Sequence, residues 1–204
     1  MALTPEATGV PALDRLVQQL SKLPGIGPKS ADRLMHHLLS CETGDVLALS
    51  EALRAIKEKV HLCRQCSHIT ENELCHICSD PRREQSIICI VEESRHVMAL
   101  ERTAHYRGVY HVLRGRLAPL DNMGPEKLTV DQLLRRIEAG NIREIIMATN
   151  PTMEGDGTAL YLSNILANHR LKITRLARGL SSGLSLEFAN RDMLSDALEG
   201  RRDF

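Results

Sequence analysis

Cys63-Arg64-Gln65-Cys66, eight further residues, and then Cys75-His76-Ile77-Cys78 restrict this chain more than any other stretch of it. Two CxxC pairs this close together are what a tetrahedral thiolate site requires. Each pair forms a tight turn with backbone N–H groups aimed at the sulfurs, and the two turns face each other across one ion. Soft thiolates select zinc or iron, and four of them leave no open position for water, so the expected metal is one structural Zn²⁺. Two disulfides are the competing arrangement. They would leave Cys41 and Cys89 as lone thiols in an oxidising compartment, and residues 1–10 lack the apolar core of a signal peptide. A redox CxxC would open a helix after a strand, which neither pair does, and absorbance distinguishes an iron centre. His61, His68 and His76 are near enough in sequence to replace a cysteine; beside four cysteines at matched spacing they read as solvated neighbours. A segment of about 16 residues cannot bury a core of its own, so metal binding, on the order of 10 kcal/mol in isolated zinc peptides, is what folds it.

Upstream, Leu13, Leu16, Val17 and Leu20 recur at helical spacing, which predicts a helix over 12–21. Leu23-Pro24-Gly25-Ile26-Gly27-Pro28-Lys29-Ser30-Ala31 follows. Gly25 and Gly27 supply turn conformations closed to other residues, Ile26 is an apolar plug, and Pro28 suits the first turn of a second helix. Leu34, Leu38 and Leu39 are expected to pack that helix back on the first. Unpaired N–H groups at its start, ringed by Lys22, Lys29 and Arg33, make an anion site for which phosphate is the natural guest. The pattern is similar to the helix-hairpin-helix of DNA-repair proteins, which grips the DNA backbone without reading sequence. The resemblance implies DNA-binding roles for Gly25, Ile26, Gly27, Lys29 and Arg33. A nucleotide P-loop is excluded, because glycine does not precede the lysine and no strand leads in. A third helix is predicted over 45–60, with Leu49, Leu53, Ile56 and Val60 along one stripe.

The charge balance, 26 basic against 26 acidic residues in 204, does not exclude nucleic acid, since binding depends on where charge sits. Aromatic residues are 2% of the chain, which argues against base stacking on aromatic platforms. No apolar run reaches the roughly 20 residues of a membrane span, so the expected address is cytoplasmic.

Downstream, the apolar run 86–91, with Cys89 as a small core residue, reads as a buried parallel strand. Helix 95–103, strand 108–113, helix 129–139, strand 144–149, helix 157–168 and strand 172–177 continue the alternation, and 191–199 is a short terminal helix. Such an order indicates a parallel sheet covered on both faces, with working residues at the carboxyl ends of its strands. Those ends carry Glu92 and the stretch Ala148-Thr149-Asn150-Pro151-Thr152-Met153-Glu154-Gly155-Asp156. This resembles the Toprim domain of topoisomerases and primases, whose version reads A-T-D-P-D-R-E-G-E and holds Mg²⁺ for phosphodiester chemistry. Here Asn150 and Thr152 stand in the places of two metal-binding aspartates, so Mg²⁺ binding is expected to be weak at best and catalysis lost. Glu92, Glu154 and Asp156 are then expected to form an acidic rim for a residual Mg²⁺ or a basic partner. Arg170, Lys172, Arg175 and Arg178 are read as a solvated rim or subunit contact.

A helix-hairpin-helix, a four-cysteine finger and a Toprim domain in this order resemble the bacterial RecR recombination mediators. LPGIGPKSADRL, IVEESRHVMALERT, YRGVYHVL, ATNPTMEG, TALYL, TRLARG and ALEGRR all fit that family, whereas residues 179–184 lack the proline and paired glycines that members often carry. The expected fold class is α+β in several parts: a helix-hairpin-helix over 1–60, a C4 zinc finger over 61–80, a Toprim domain over 84–180 and an oligomerisation segment over 181–204. The resemblance implies a non-enzymatic, nucleoid-associated protein that forms a tetrameric ring around DNA and acts with RecO and RecF to load RecA at single-strand gaps. The alternative is a Mg²⁺-dependent Toprim nuclease or primase-like enzyme using Glu92, Glu154 and Asp156.

Overall fold

The computed structural model describes residues 8–201; part of the stretch inspected for a signal peptide and the last three residues of the tail lie outside them. The chain divides into two compact units, with the boundary between Lys59 and Val60.

The first unit is helical. Helix α1 (Pro11–Leu20) and helix α2 (Pro28–Ser40) both begin on proline, whose missing N–H costs nothing in a first turn. They enclose a small core of Val17, Ala31 and Met35, with Leu13, Leu16, Leu20 and Ile26 packed around it. The inward face of α2 is thus set by Ala31 and Met35, four residues apart. Leu34 and Leu38 are only half-buried and Leu39 is exposed, so the expected leucine face is rotated. Ala31 at the contact lets the helices approach closely, and Met35 fills the space beside it. Helix α3 (Thr43–Glu58) has no buried residue: Leu49, Leu53 and Ile56 are 47%, 61% and 56% exposed.

The second unit opens with a short antiparallel pair, strands β1 (His61–Leu62) and β2 (Ile69–Thr70), that carries the first cysteine turn. Two-residue strands leave no period in a sequence and were not expected. Then follow strand β3 (Glu84–Val91), helix α4 (Ser94–Glu101), strand β4 (Gly108–Val112), helix α5 (Val130–Ala139), strand β5 (Glu144–Met147), helix α6 (Met153–Leu166), strand β6 (Lys172–Arg175) and helix α7 (Arg191–Glu199). The sheet is parallel, in the order β4-β3-β5-β6. Ile88, Cys89, Ile90 and Val91 of β3 are at most 3% exposed. Because neighbours on a strand point to opposite faces, the central strand is covered on both sides, as its unbroken apolar run predicts. The order of travel reverses between β3 and β5, which places a crevice at the carboxyl ends of these two strands.

Strand β4 lies at the sheet edge, where unpaired backbone groups invite association with another chain. Here they are occupied. The Val112 amide donates to the Cys66 carbonyl at 2.8 Å, and the Arg136 guanidinium donates to the Tyr110 carbonyl at 2.6 Å. The cysteine segment accordingly shares one continuous core with the sheet, Ile77 included.

His111 on β4 is fully buried. Its Nε2–H donates toward the carbonyl and hydroxyl oxygens of Thr129, 3.0 Å away, while Nδ1 has no partner. Burial pushes its pKa down from 6.5 to about 4. As pH falls below 6.5 the unfolded chain gains a proton that the folded chain refuses, so this contribution to stability is whole above that pH and lost progressively down to about pH 4. Urea denaturation across that window should show a loss on the order of 3 kcal/mol from this group. His111→Gln should flatten the profile; an equally steep profile in that variant would assign the acid sensitivity to other groups.

Candidate metal centre and nucleic-acid interface

Cys63, Cys66, Cys75 and Cys78 are all buried, and their sulfurs lie within 4.8 Å of one another. The Cys66 and Cys75 sulfurs are 3.6 Å apart. A tetrahedron with zinc–sulfur bonds of about 2.3 Å has edges of about 3.8 Å, so the cage has the size for Zn²⁺. The expected amide-to-sulfur bond is present where the Cys75 N–H donates to Cys63 Sγ at 3.3 Å. Ser67 closes the first turn with a φ of 59°, and its hydroxyl donates to Gln132 Oε1 at 2.6 Å, tying the turn to α5. Four crowded thiols cannot share their protons evenly. Hydrogen bonds from Cys66, Cys75 and Cys78 hold Cys63 far below the ordinary thiol range, and the hydrogen bonds that Cys66 and Cys78 make to Cys63 push them far above it. A divalent cation removes the conflict by allowing all four to be thiolates.

Among the described residues these four form the only cluster fit to hold a metal. His61 and His76 are exposed, as expected, and His61 Nδ1 pairs with the Thr70 carbonyl at 2.9 Å. His68 departs from expectation. It is buried beside Val97 and Met98 rather than solvated, and desolvation, with His76 next, lowers its pKa. It serves the turn through its backbone, whose carbonyl accepts the Cys63 N–H at 2.7 Å.

In the first unit the hairpin turns on Gly25, whose φ of +81° lies in the region closed to most side chains. Gly27 does not need its glycine for conformation: as the N-cap of α2 it has φ −84° and ψ 172°, and space for a Cβ. Ile26 is half-buried against the helix pair. Among the described residues, the amides of Gly27, Lys29 and Ser30 have no hydrogen-bond acceptor, and the exposed Lys29 and Arg33 have no ion-pair partner. Uncommitted donors at a helix start, flanked by two free cations, form an anion-binding surface.

Glu92 stands in the crevice between β3 and β5, Asp156 faces the end of β6, and the three acids do not form an open rim. Glu92 is 1% exposed; its two oxygens accept the Asn150 backbone N–H and side-chain amide, each at 2.7 Å. Thr152 caps α6 by accepting the Gly155 N–H at 3.1 Å. Helix α6 therefore begins four residues before the predicted 157, and Glu154 and Asp156 stand in its first turn. Glu154 is exposed, its carboxyl held below the usual range chiefly by a hydrogen bond from its own amide, then by Thr152 and Arg116. Asp156 is bound by Arg175 and Arg178, with one Arg178 contact at 3.1 Å. Sequence alone shows these arginines as a surface cluster and hides their partner, which lies 19 and 22 residues away. Gly155 was also missed as a site residue: a Cβ there would lie 2.1 Å from the Asn150 carbonyl and 3.0 Å from Glu92 Oε1. Burial raises the Tyr106 and Tyr110 phenols far above their ordinary range, and the Tyr110 hydroxyl donates to Glu101 at 2.7 Å.

Comparison with known families matches the chain in three consecutive pieces. Residues 13–57 match the RecR helix-hairpin-helix, 60–80 the RecR four-cysteine zinc finger domain and 86–177 the Toprim domain. A protein named Recombination protein RecR from Rhodopirellula baltica is 53% identical over 94% of this chain and 96% of its own length. The chain belongs to the RecR family. Similar proteins of that name from Roseiflexus sp. and Thermobifida fusca are 50% and 48% identical, over 93% and 94% of this chain and 92% and 96% of their own lengths. Family membership makes the four-thiol cage a C4 zinc finger with a structural zinc.

Replacing Cys63 by Ser should remove the zinc measured by atomic absorption and lower the yield of folded protein. Because Cys66 hydrogen-bonds to β4, near-ultraviolet and amide-exchange signals from β4 should weaken as well. A zinc-free variant with unchanged exchange on β4 would separate finger from sheet.

Proposed function

We propose that the protein is a non-enzymatic recombination mediator of DNA repair that holds DNA by its backbone. The observation that carries this reading is the hairpin at 25–33: donors without acceptors at the start of α2, beside Lys29 and Arg33, in a chain of RecR type. Such a surface recognises phosphate and is indifferent to base sequence. The low aromatic content agrees, since few stacking side chains are available. By resemblance, the protein works at single-strand gaps with RecO and RecF, delivers RecA there, and resides in the cytoplasm at the nucleoid.

We further infer that it works as a ring of four chains. Helix α3 presents Leu49, Leu53 and Ile56 to solvent, and the C-terminal segment exposes Leu186, Phe188 and Leu198. Apolar side chains uncovered in two separate regions are what assembly through both ends of a chain uses. Closing the ring would gather four small basic hairpins, which raises local positive potential from a chain of zero net charge. The partner role of Glu92, Glu154 and Asp156 narrows, on this reading, to Glu154, the one acid of the three that is both exposed and free of an arginine ion pair. No observation favours the Mg²⁺-dependent nuclease or primase reading, and Mg²⁺ has no assigned role.

A salt series of DNA binding, run beside a Mg²⁺ activity assay and light scattering, tests the function. Sequence-independent binding by an oligomer without turnover is expected; turnover abolished by Glu154→Ala would overturn the reading. Each duplex phosphate contact contributes about 0.9 to the slope of log affinity against log salt. Lys29→Ala with Arg33→Ala should therefore flatten the slope by about 2 for each engaged hairpin, equally for all sequences. Leu53→Glu with Ile56→Glu should reduce the mass in light scattering without loss of helicity; unchanged mass would place the interface elsewhere.

A further inference from the structure

Toprim enzymes hold a divalent ion between acids at this crevice, and the residues present here do not fit one. Both Glu92 oxygens are already taken by Asn150 donors at 2.7 Å, Thr152 is committed to capping α6, and Asp156 carries two guanidinium groups. Only Glu154 offers an exposed carboxylate outside any ion pair, and one such carboxylate is a poor Mg²⁺ site. We propose that the chain supplies its own partners for the acids of the Toprim site in place of a divalent ion, the Asn150 amide for Glu92 and the guanidinium groups of Arg175 and Arg178 for Asp156, so that the site is closed to metals.

The substitutions have the form this requires. An aspartate at 150 would set a second carboxylate against the buried Glu92, and two carboxylates in contact need a cation or a shared proton. An amide at that position donates where the second acid would repel. At the other end, Arg175 ends β6 and Arg178 lies three residues beyond it, so their shared hold on Asp156 joins the last strand to the first turn of α6. The segment they anchor is where α7 docks: a Cβ on Gly179 would come within 3.2 Å of Ala197. The ion pairs therefore position the C-terminal helix, a mechanical task that persists after the chemistry is gone.

The consequence is that metal binding should be recoverable by removing the internal cations. The test is Mn²⁺ titration of the full-length zinc protein, read by electron paramagnetic resonance and thermal midpoint, on wild type, Arg175→Gln/Arg178→Gln, and Asn150→Asp/Arg175→Gln/Arg178→Gln. Wild type should leave the free Mn²⁺ signal unchanged and its midpoint unmoved. The triple variant should be less stable without Mn²⁺, regain stability with it, and bind at least ten-fold more tightly than wild type; the double variant should gain in the same direction by less. If wild type already binds Mn²⁺ and Asp156→Asn abolishes that binding, the crevice is an ordinary metal site and the proposal fails. It fails equally if the folded double and triple variants bind no Mn²⁺, because the internal cations are then not what excludes the ion. A triple variant that folds only in Mn²⁺ supports it.

Discussion

The hydrogen bond from the Val112 amide to the Cys66 carbonyl makes the metal centre a part of the sheet. A four-thiolate finger folds when its ion binds, and on its own it has little core to contribute. Here the turn bearing Cys66 seals the outer edge of β4 while Ile77 enters the sheet's core, so the free energy of metal binding stabilises two structures at once. The coupling also runs the other way. Gln132 on α5 accepts from Ser67 and donates to the Arg64 carbonyl, so α5 holds the first cysteine turn in the shape that the ion requires.

Function in the first unit rests on a different constraint. A chain of zero net charge cannot be drawn to DNA by its overall field, so attraction has to be local. The α2 start concentrates it with two side chains and three backbone amides whose hydrogen bonds the fold leaves unmade. The amides are as important as the lysine and arginine, because they are fixed in place by Gly25 and lose no side-chain entropy when a phosphate arrives. On the proposed function, a sequence-independent grip follows from that choice, since backbone donors at a helix end suit phosphate oxygens rather than base edges.

Much of this could be read from the sequence where a feature is fixed by local chemistry. Four ligand cysteines must keep their spacing, a turn through positive φ calls for glycine, and a central strand needs an unbroken apolar run; each leaves a mark within a dozen residues. What was not legible depends on contacts between distant positions. The arginines that bind Asp156 lie 19 and 22 residues from it, and nothing local announces the pairing. Helix α6 begins four residues before the predicted 157, and Gly155 in its first turn is there to admit the Asn150 carbonyl and Glu92. The inward face of α2 was misjudged because periodicity counts leucines, whereas close helix contact favoured Ala31 and Met35. His68 is buried by α4, an element that its neighbours in sequence do not mention.

The acids of the Toprim site are held by contacts within the chain itself. A buried carboxylate is costly unless its oxygens find donors, and Glu92 finds two from a single residue, the backbone and side chain of Asn150. That pairing fixes the loop between β5 and α6 against the end of β3, across the point where strand order reverses. Losing Glu92 would leave the Asn150 amide without its acceptor, and restoring aspartate at 150 would leave Glu92 facing a like charge. Neither residue can change alone without a penalty of the kind that follows an unpaired buried group, on the order of 1–3 kcal/mol. Glu92 thus has a structural task in the loop it holds in place. The same reasoning applies to Asp156, whose partners tie the last strand to α6, and it leaves Glu154, exposed and bound to no arginine, as the acid available for recognition by another molecule.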